Sequence, residues 1–221
     1  MVAEKTVGVS FASVIGTRLV GAWRLPAGAS HPPVVAFAHG FGSGRSSARN
    51  EAVVRELVSK GIAAFTFDFT GHGESEGRRD EATLDRMIGD LAAAVHFVRM
   101  SPDVDGRRLG LHGSSSGALV VAAYAMEDRD IRALVLRGLP ADQILKHASN
   151  IRVPTLVLVG SEDLAFAEED RRFAESLPAE HAFVAIEGAG HLFDTPEQLA
   201  EVIERTTSWF LKHLSDPRRI D

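Results

Sequence analysis

No cysteine occurs among the 221 residues of this chain. Disulfide bonds, thiolate metal sites and a cysteine nucleophile are therefore all excluded. A reducing compartment is compatible with this absence, and we expect a cytoplasmic protein.

Long apolar runs are also missing. No stretch approaches the roughly 18 apolar residues of a membrane-spanning helix, and the early glutamate in "MVAEKTVGVSFA" makes the first residues unlike a signal peptide. We therefore expect no membrane partner.

An excess of basic residues is absent as well. The 24 lysines and arginines are outnumbered by 30 aspartates and glutamates, which gives a formal net charge of −6. The chain lacks the basic footprint of a nucleic-acid-binding protein, and we expect no nucleic-acid partner. The composition is 45% hydrophobic and 24% charged, and with this length it predicts one α/β domain, residues 1–221. The oligomeric state stays open.

Short apolar runs alternate with helical patterns along most of the chain. Two β-rich runs near the start predict an antiparallel hairpin. Six further strands are predicted at 34–38, 62–69, 108–112, 131–137, 154–160 and 181–188, with helical patterns between them. This alternation predicts a mostly parallel sheet with helices on both faces. In such a sheet, functional residues collect in the loops at the carboxyl ends of the strands.

The helical pattern near the end of the chain has a clear starting signal. Thr195 suits the N-cap, Pro196 suits the first turn, and Gln198 completes a capping box. We therefore expect the last helix to begin directly after Thr195.

The segment "LHGSSSGALV" contains a candidate nucleophile. Only Ser115 has a glycine two residues before it and two after it, as in the pattern G-x-S-x-G. A nucleophile on a tight strand-to-helix turn holds a strained backbone, and larger residues at Gly113 or Gly117 would collide across the turn. The free N–H groups of the following helix would face developing negative charge. A plain Ser/Gly loop is the competing interpretation.

A serine nucleophile needs a base that is oriented by a third group. His191 follows the last predicted strand and a glycine-rich turn, whereas the other histidines lie in predicted helices and linkers or at strand ends upstream of or beside the serine. Asp163 follows the preceding strand and is our choice for the acid, with its neighbour Glu162 as the alternative. The chain order Ser, Asp, His differs from the orders of chymotrypsin and subtilisin.

The loop "HGFGSG" after the strand at 34–38 is a candidate oxyanion hole. The backbone N–H groups of Phe41 and Ser116 are the expected donors, and loss of one such donor typically costs ~3 kcal/mol of transition-state stabilisation. A phosphate-binding loop is the alternative. It is disfavoured because the glycines do not form G-x-G-x-x-G and no lysine completes a P-loop.

Together these motifs resemble a serine α/β-hydrolase over most of the chain. Residues 39–42 resemble the oxyanion segment of that family, and "DFTGHGES" at 68–75 resembles its D-x-x-G-x-G-x-S turn, which we interpret as structural. Residues 160–163 match the G-x-x-D acid turn, and residues 190–191 match the histidine loop. The resemblance implies the α/β-hydrolase fold and the Ser, Asp, His order of its catalytic triad.

Within the family the chain is most similar to small dienelactone-hydrolase-like and bacterial acyl-esterase-like members. Dienelactone hydrolases proper carry cysteine as nucleophile, whereas position 115 is serine. The resemblance therefore implies ester hydrolysis. Many members insert a helical cap where this chain has only residues 138–153, so we expect little or no cap. Phe41, Leu139, Leu164 and Leu192 flank the motifs and are expected to form an apolar acyl site, although packing under loops would explain them equally well.

The resulting hypothesis is a hydrolase of carboxylic esters with small to medium acyl groups, acting through an acyl-enzyme on Ser115. No metal and no organic cofactor is expected. Thioesterase, lactonase, amidase and perhydrolase activities remain open, because they would use the same triad. A non-catalytic binding module is also open, since a fold does not fix a function.

Overall fold

The carboxyl ends of six strands meet at one edge of a single sheet. The structure, a computed structural model, describes residues 4–215, so residues 1–3 and 216–221 of the predicted domain lie outside the described residues. The strands are β1 (Glu4–Ala12), β2 (Arg18–Pro26), β3 (Val34–Ala38), β4 (Ala63–Phe67), β5 (Leu109–Ser114), β6 (Ala133–Arg137), β7 (Thr155–Gly160) and β8 (His181–Ile186).

The strands are ordered β1-β2-β4-β3-β5-β6-β7-β8. The first pairs, β1 with β2 and β2 with β4, are antiparallel. All the other neighbours are parallel. The predicted mostly parallel sheet with antiparallel N-terminal strands is therefore confirmed.

In the described range, residues 4–215, five α-helices cover the sheet. They are α1 (Ala48–Ser59), α2 (Leu84–Arg99), α3 (Ser116–Tyr124), α4 (Ala167–Glu175) and α5 (Pro196–Leu214). The predicted start of the last helix is confirmed. The Gln198 N–H donates to Thr195 Oγ1 at 3.3 Å, and the Thr195 N–H donates to Gln198 Oε1 at 3.2 Å. This reciprocal pair satisfies N–H groups that a helix leaves without partners at its start.

The two faces of the sheet pack against different helices. Along β3, Val34 and Ala36 belong to the apolar cluster that contains residues of α2, α3 and α4. Val35 and Phe37 belong to the cluster that contains residues of α1 and α5. This split follows from the two-residue period of a strand. Each fully buried Val, Leu or Phe stabilises the fold by about 1.5–3 kcal/mol, so both faces of the sheet contribute to the core.

The connection between β6 and β7 contains only the short 3-10 helices Ala141–Gln143 and Leu145–Asn150. Ile144 between these helices, Ala148 in the second one and Ile151 after it are buried in the cluster with α2, α3 and α4. The connection thus packs onto the core, in agreement with the expectation of little or no cap. Within residues 4–215, no helix is both long enough and apolar enough to cross a membrane.

Candidate active site

Ser115 occupies the junction between β5 and α3. Its backbone has φ 53° and ψ −125°, a conformation that costs a residue with a side chain about 1–3 kcal/mol. The Ser115 N–H donates to the carbonyl of Arg137 at 2.8 Å, and the Ser115 carbonyl accepts from the Ala118 N–H at 2.8 Å. The strained turn is thus held from both sides and projects the side chain out of the sheet edge.

The two glycines of the motif are required by close backbone contacts. A Cβ atom at Gly113 would lie 2.5 Å from Ala118 Cα, and one at Gly117 would lie 2.3 Å from the carbonyl oxygen of Ala38. Real Cβ contacts are longer than these distances. The prediction that larger residues would collide across this turn is confirmed.

His191 links the serine to an acid. Its Nε2 lies 3.1 Å from Ser115 Oγ, and its Nδ1 lies 2.6 Å from Asp163 Oδ2. Because Nδ1–H donates to the carboxylate, Nε2 is left to accept from the serine hydroxyl. The Asp163 side chain is only 8% exposed, whereas Glu162 is exposed to solvent. The acid in contact with His191 is therefore Asp163 and not Glu162.

Three further residues fix the position of His191, and sequence reasoning assigned none of them to it. Gly138, the residue after β6, has φ +59°, and a Cβ atom there would lie 2.9 Å from His191 Cε1. A Cβ atom at Gly160 would lie 2.2 Å from the carbonyl oxygen of Ala189, in the histidine loop. The Phe166 ring lies 5.0 Å from the imidazole, centroid to centroid. In the sequence, the only sign of these contacts is a glycine at the carboxyl end of β6 and of β7, at positions 138 and 160.

The turn after β3 approaches the same point. The Ser43 N–H donates to the Gly40 carbonyl at 3.1 Å, and Gly42 has φ +75°, as a type II turn requires. The Phe41 N–H points toward α3 and donates to Ser116 Oγ at 2.7 Å. The Ser116 N–H is at the first position of α3, where a helix supplies no acceptor. Both predicted oxyanion donors are thus adjacent, but the Ser116 hydroxyl already engages one of them.

The buried side chain of His39 stabilises this turn by two hydrogen bonds. Its Nδ1–H donates to the Gly40 carbonyl at 2.9 Å, and its Nε2 accepts from the Phe69 N–H at 3.2 Å. Burial lowers the pKa of His39 to about 4. The imidazole is therefore neutral near pH 7 and serves to hold the turn in place.

The "DFTGHGES" segment forms a closed turn behind the site. The buried Asp68 carboxylate accepts from the Arg45 N–H at 2.7 Å and pairs with the Arg45 guanidinium. The Ser75 hydroxyl donates to the Asp68 carbonyl at 2.6 Å. A Cβ atom at Gly73 would lie 2.1 Å from Asp68 Oδ2. These contacts agree with the structural interpretation of the segment.

Three of the four predicted acyl-site residues are exposed beside the candidate triad. The exposed fractions are 71% for Phe41, 87% for Leu164 and 49% for Leu192. The prediction for Leu139 is wrong. Its side chain is fully buried in the cluster with α2, α3 and α4, because the chain turns inward after the positive φ of Gly138 and packs onto the core. Leu139 therefore does not line the open site.

Two buried ionisable groups lie close to the site, and sequence reasoning missed both. Burial raises the pKa of Asp170, on α4, to about 8, and the negative charge of Asp163 contributes to this increase. The backbone amide of Leu139 acts in the opposite direction and lowers the pKa. Burial, together with the positive charge of nearby Arg49, lowers the pKa of Arg137 to about 10. The Arg137 Nη2 donates to Asn50 Oδ1 at 2.9 Å. A charged side chain in an otherwise ordinary helix or strand gives no sequence signal of burial.

No group of three or more histidine, aspartate or glutamate side chains in the described part of the chain is arranged to hold a metal ion.

Comparison with known proteins identifies similar sequences. Residues 29–141 match the family model described as Serine aminopeptidase, S33. A Mycobacterium tuberculosis protein provisionally named a phosphoribosyl transferase is 31% identical over 185 residues, which cover 83% of this chain and 42% of that protein. The chain thus spans less than half of that relative. An uncharacterised protein of the same organism is 30% identical over 209 residues, which cover 83% of this chain and 71% of that protein.

Solved structures share the fold over nearly the whole chain. A dienelactone hydrolase from Anabaena variabilis superposes with a TM-score of 0.85 and 27% identity, covering 96% of this chain and 99% of that one. Est1E from Butyrivibrio proteoclasticus, solved with ferulic acid bound, also gives a TM-score of 0.85, with 21% identity and coverage of 94% and 100%. At the lower identity, the likeness shows the fold alone.

Proposed function

Because the chain belongs to the S33 family of α/β-hydrolases, we propose that it is a hydrolase of carboxylic esters that acts through an acyl-enzyme on Ser115. The observation that carries the proposal is the continuous line of contacts Asp163–His191–Ser115, with distances of 2.6 Å and 3.1 Å. A general base within hydrogen-bond reach of a partly exposed hydroxyl on a strained turn is what acyl transfer to serine needs.

Acylation begins with proton transfer. As Ser115 Oγ attacks the ester carbonyl, His191 Nε2 takes the hydroxyl proton. Asp163 holds the imidazole with Nδ1–H directed toward the carboxylate, and it stabilises the imidazolium that forms. His191 then gives the proton to the leaving alcohol, so the alcohol departs neutral and the acyl group stays on Ser115.

The negative charge of the tetrahedral intermediate falls on the former carbonyl oxygen. The N–H groups of Phe41 and Ser116 are the proposed donors to this oxyanion. Both are backbone groups fixed by the turn after β3 and by the start of α3, so they need little reorganisation. The positive end of the α3 dipole acts in the same direction.

Deacylation repeats these steps with water. His191 takes a proton from water, the hydroxide attacks the acyl carbonyl, and His191 returns the proton to Ser115 as the acid product forms. Every proton in the cycle therefore passes through one imidazole.

The exposed apolar rim favours an ester with an apolar acyl group. Phe41, Leu164 and Leu192 are all exposed large apolar side chains, and contact with an acyl chain would remove them from water. Since the connection between β6 and β7 forms only two short 3-10 helices and no inserted cap domain, small to medium acyl groups would be held by one side only. Amide hydrolysis is the second candidate, because the matched family model is described as a serine aminopeptidase.

A substrate panel tests the proposal. We would measure kcat/KM for 4-nitrophenyl acetate, butyrate and octanoate, for a matching thioester and lactone, and for an amino-acid 4-nitroanilide. The proposal predicts that the best ester exceeds the anilide and that butyrate exceeds acetate. Higher kcat/KM on the anilide would favour the amide alternative. Absence of turnover on every substrate by folded protein would favour a non-catalytic binding module.

A further inference from the structure

The Ser116 side chain lies where the proposed mechanism needs empty space. The single hydrogen of the Phe41 N–H is directed at Ser116 Oγ, at a distance of 2.7 Å. An oxyanion bound by this donor would lie at about the same distance, 2.7–3.1 Å. The hydroxyl therefore occupies the acceptor position on one of the two proposed donors.

Covalent geometry places the same oxygen close to the second donor. Ser116 Oγ is joined to the Ser116 nitrogen through only two carbon atoms, and three bonds of about 1.5 Å keep the two atoms within roughly 4 Å of each other. The hydroxyl thus lies near both N–H groups at once. A substrate oxygen has to enter the same volume.

We propose that the Ser116 hydroxyl is a self-ligand of the oxyanion hole, which closes the hole in the free enzyme and rotates out when the tetrahedral intermediate forms. This inference rests on the proposed function, and it gives the Ser116 side chain a role distinct from that of its backbone N–H.

The three consecutive serines differ in their surroundings. Ser114 is nearly buried at the end of β5, and the Ser115 hydroxyl contacts His191. Ser116 is only partly buried, and in the described part of the chain the Phe41 N–H is the one hydrogen-bond partner of its hydroxyl. A partly buried side chain held by a single hydrogen bond can change rotamer when that bond is broken.

The exchange of acceptors favours the transition state. A neutral ester carbonyl offers the Phe41 N–H a bond no stronger than the hydroxyl does, so a bound ester has little tendency to displace Ser116. A charged oxyanion accepts a bond about twice as strong. The hydroxyl is therefore displaced when charge develops, and its removal should help the reaction by about the net value of one hydrogen bond.

The test compares Ser116→Ala with Ser114→Ala in the intact chain. A trifluoromethyl ketone, which forms a charged hemiketal with a serine nucleophile, serves as probe. Ser116→Ala should bind the ketone about 2- to 10-fold more tightly than the wild type, with kcat/KM raised by a similar factor, because one net hydrogen bond no longer has to be broken. Ser114→Ala should bind the ketone as the wild type does.

A second variant separates the hydroxyl from loss of packing at this position. Ser116→Thr keeps the hydroxyl and should bind the ketone no more tightly than the wild type. Equal or weaker ketone binding by Ser116→Ala, or tighter binding by Ser116→Thr, would overturn the self-ligand. If the wild-type enzyme forms no hemiketal at all, the proposed acyl transfer fails, and that result is distinct from a wild-type hemiketal that Ser116→Ala leaves unchanged.

Discussion

Gly138 and His191 are in contact across the loops that follow β6 and β8. A Cβ atom at Gly138 would lie 2.9 Å from His191 Cε1 and 3.2 Å from His191 Nδ1. The second of these atoms is the one that donates to Asp163. The lack of a side chain at Gly138 therefore leaves the space that the imidazole occupies.

Gly138→Ala should displace the imidazole and lower kcat by about 10²-fold with little change in KM, because misplacing a reacting group by about 1 Å costs roughly that factor. Steady-state kinetics with a 4-nitrophenyl ester measure both constants. Gly61→Ala is the matched control, since Gly61 also has a positive φ (+83°) but a Cβ atom there meets nothing within 4 Å. Wild-type kcat in Gly138→Ala, or an equal loss of kcat in Gly61→Ala, would contradict the role given to the contact with His191.

Asp163→Asn should lower kcat by about 10⁴-fold near neutral pH, because an amide in this place favours the wrong imidazole tautomer. Glu162→Gln is a neighbouring control, and its kcat should stay within about twofold of wild type, as expected for a surface change. Circular dichroism would show that both variants are folded. A large loss in Glu162→Gln together with an active Asp163→Asn would contradict the assignment of the acid.

Much of the candidate site could be predicted from the sequence because its residues are tied to strand ends. The glycine spacing singles out Ser115, and the positions of Asp163 and His191 after neighbouring strands agree with the contacts observed. The prediction that Leu139 lines the acyl site was wrong, because nearness to a motif along the chain does not determine the direction of a side chain after a turn. The contact between Phe41 and Ser116 depends on a side-chain rotamer, which has no sequence signal.

The burial of Asp170 was also beyond sequence reasoning. The first turn of its helix contains three acidic residues, Glu168, Glu169 and Asp170, which is a common solvated pattern because acidic groups suit a helix N-terminus. Only the packing of α4 beside the acid turn makes the third carboxyl different from the other two.

The raised pKa of Asp170 predicts a pH-dependent cost to stability. Between its unfolded value of 3.8 and its folded value of about 8, the unfolded chain releases this proton while the folded protein keeps it. The contribution to the free energy of unfolding is therefore largest below pH 3.8 and is lost as the pH rises toward 8.

Asp170→Asn should remove this loss. The melting temperature of Asp170→Asn minus that of the wild type should be at least about 5 °C larger at pH 8 than at pH 5. One pKa unit corresponds to ~1.4 kcal/mol, and 1 kcal/mol corresponds to about 2–4 °C in a protein of this size. Differential scanning calorimetry at the two pH values measures this difference. Exposed Asp142 supplies the control Asp142→Asn, which should change the melting temperature little at either pH. A gain that does not grow with pH would contradict the raised pKa.

Labelling with a fluorophosphonate probe, followed by peptide mapping, identifies which of the three consecutive serines is the nucleophile. We expect modification of wild-type protein at Ser115, loss of labelling in Ser115→Ala and full labelling in Ser114→Ala. The Ser115→Ala variant should also lose at least about 10³-fold in kcat on esters. Labelling at Ser114 or Ser116, or full labelling of folded Ser115→Ala, would show that Ser115 is not the nucleophile.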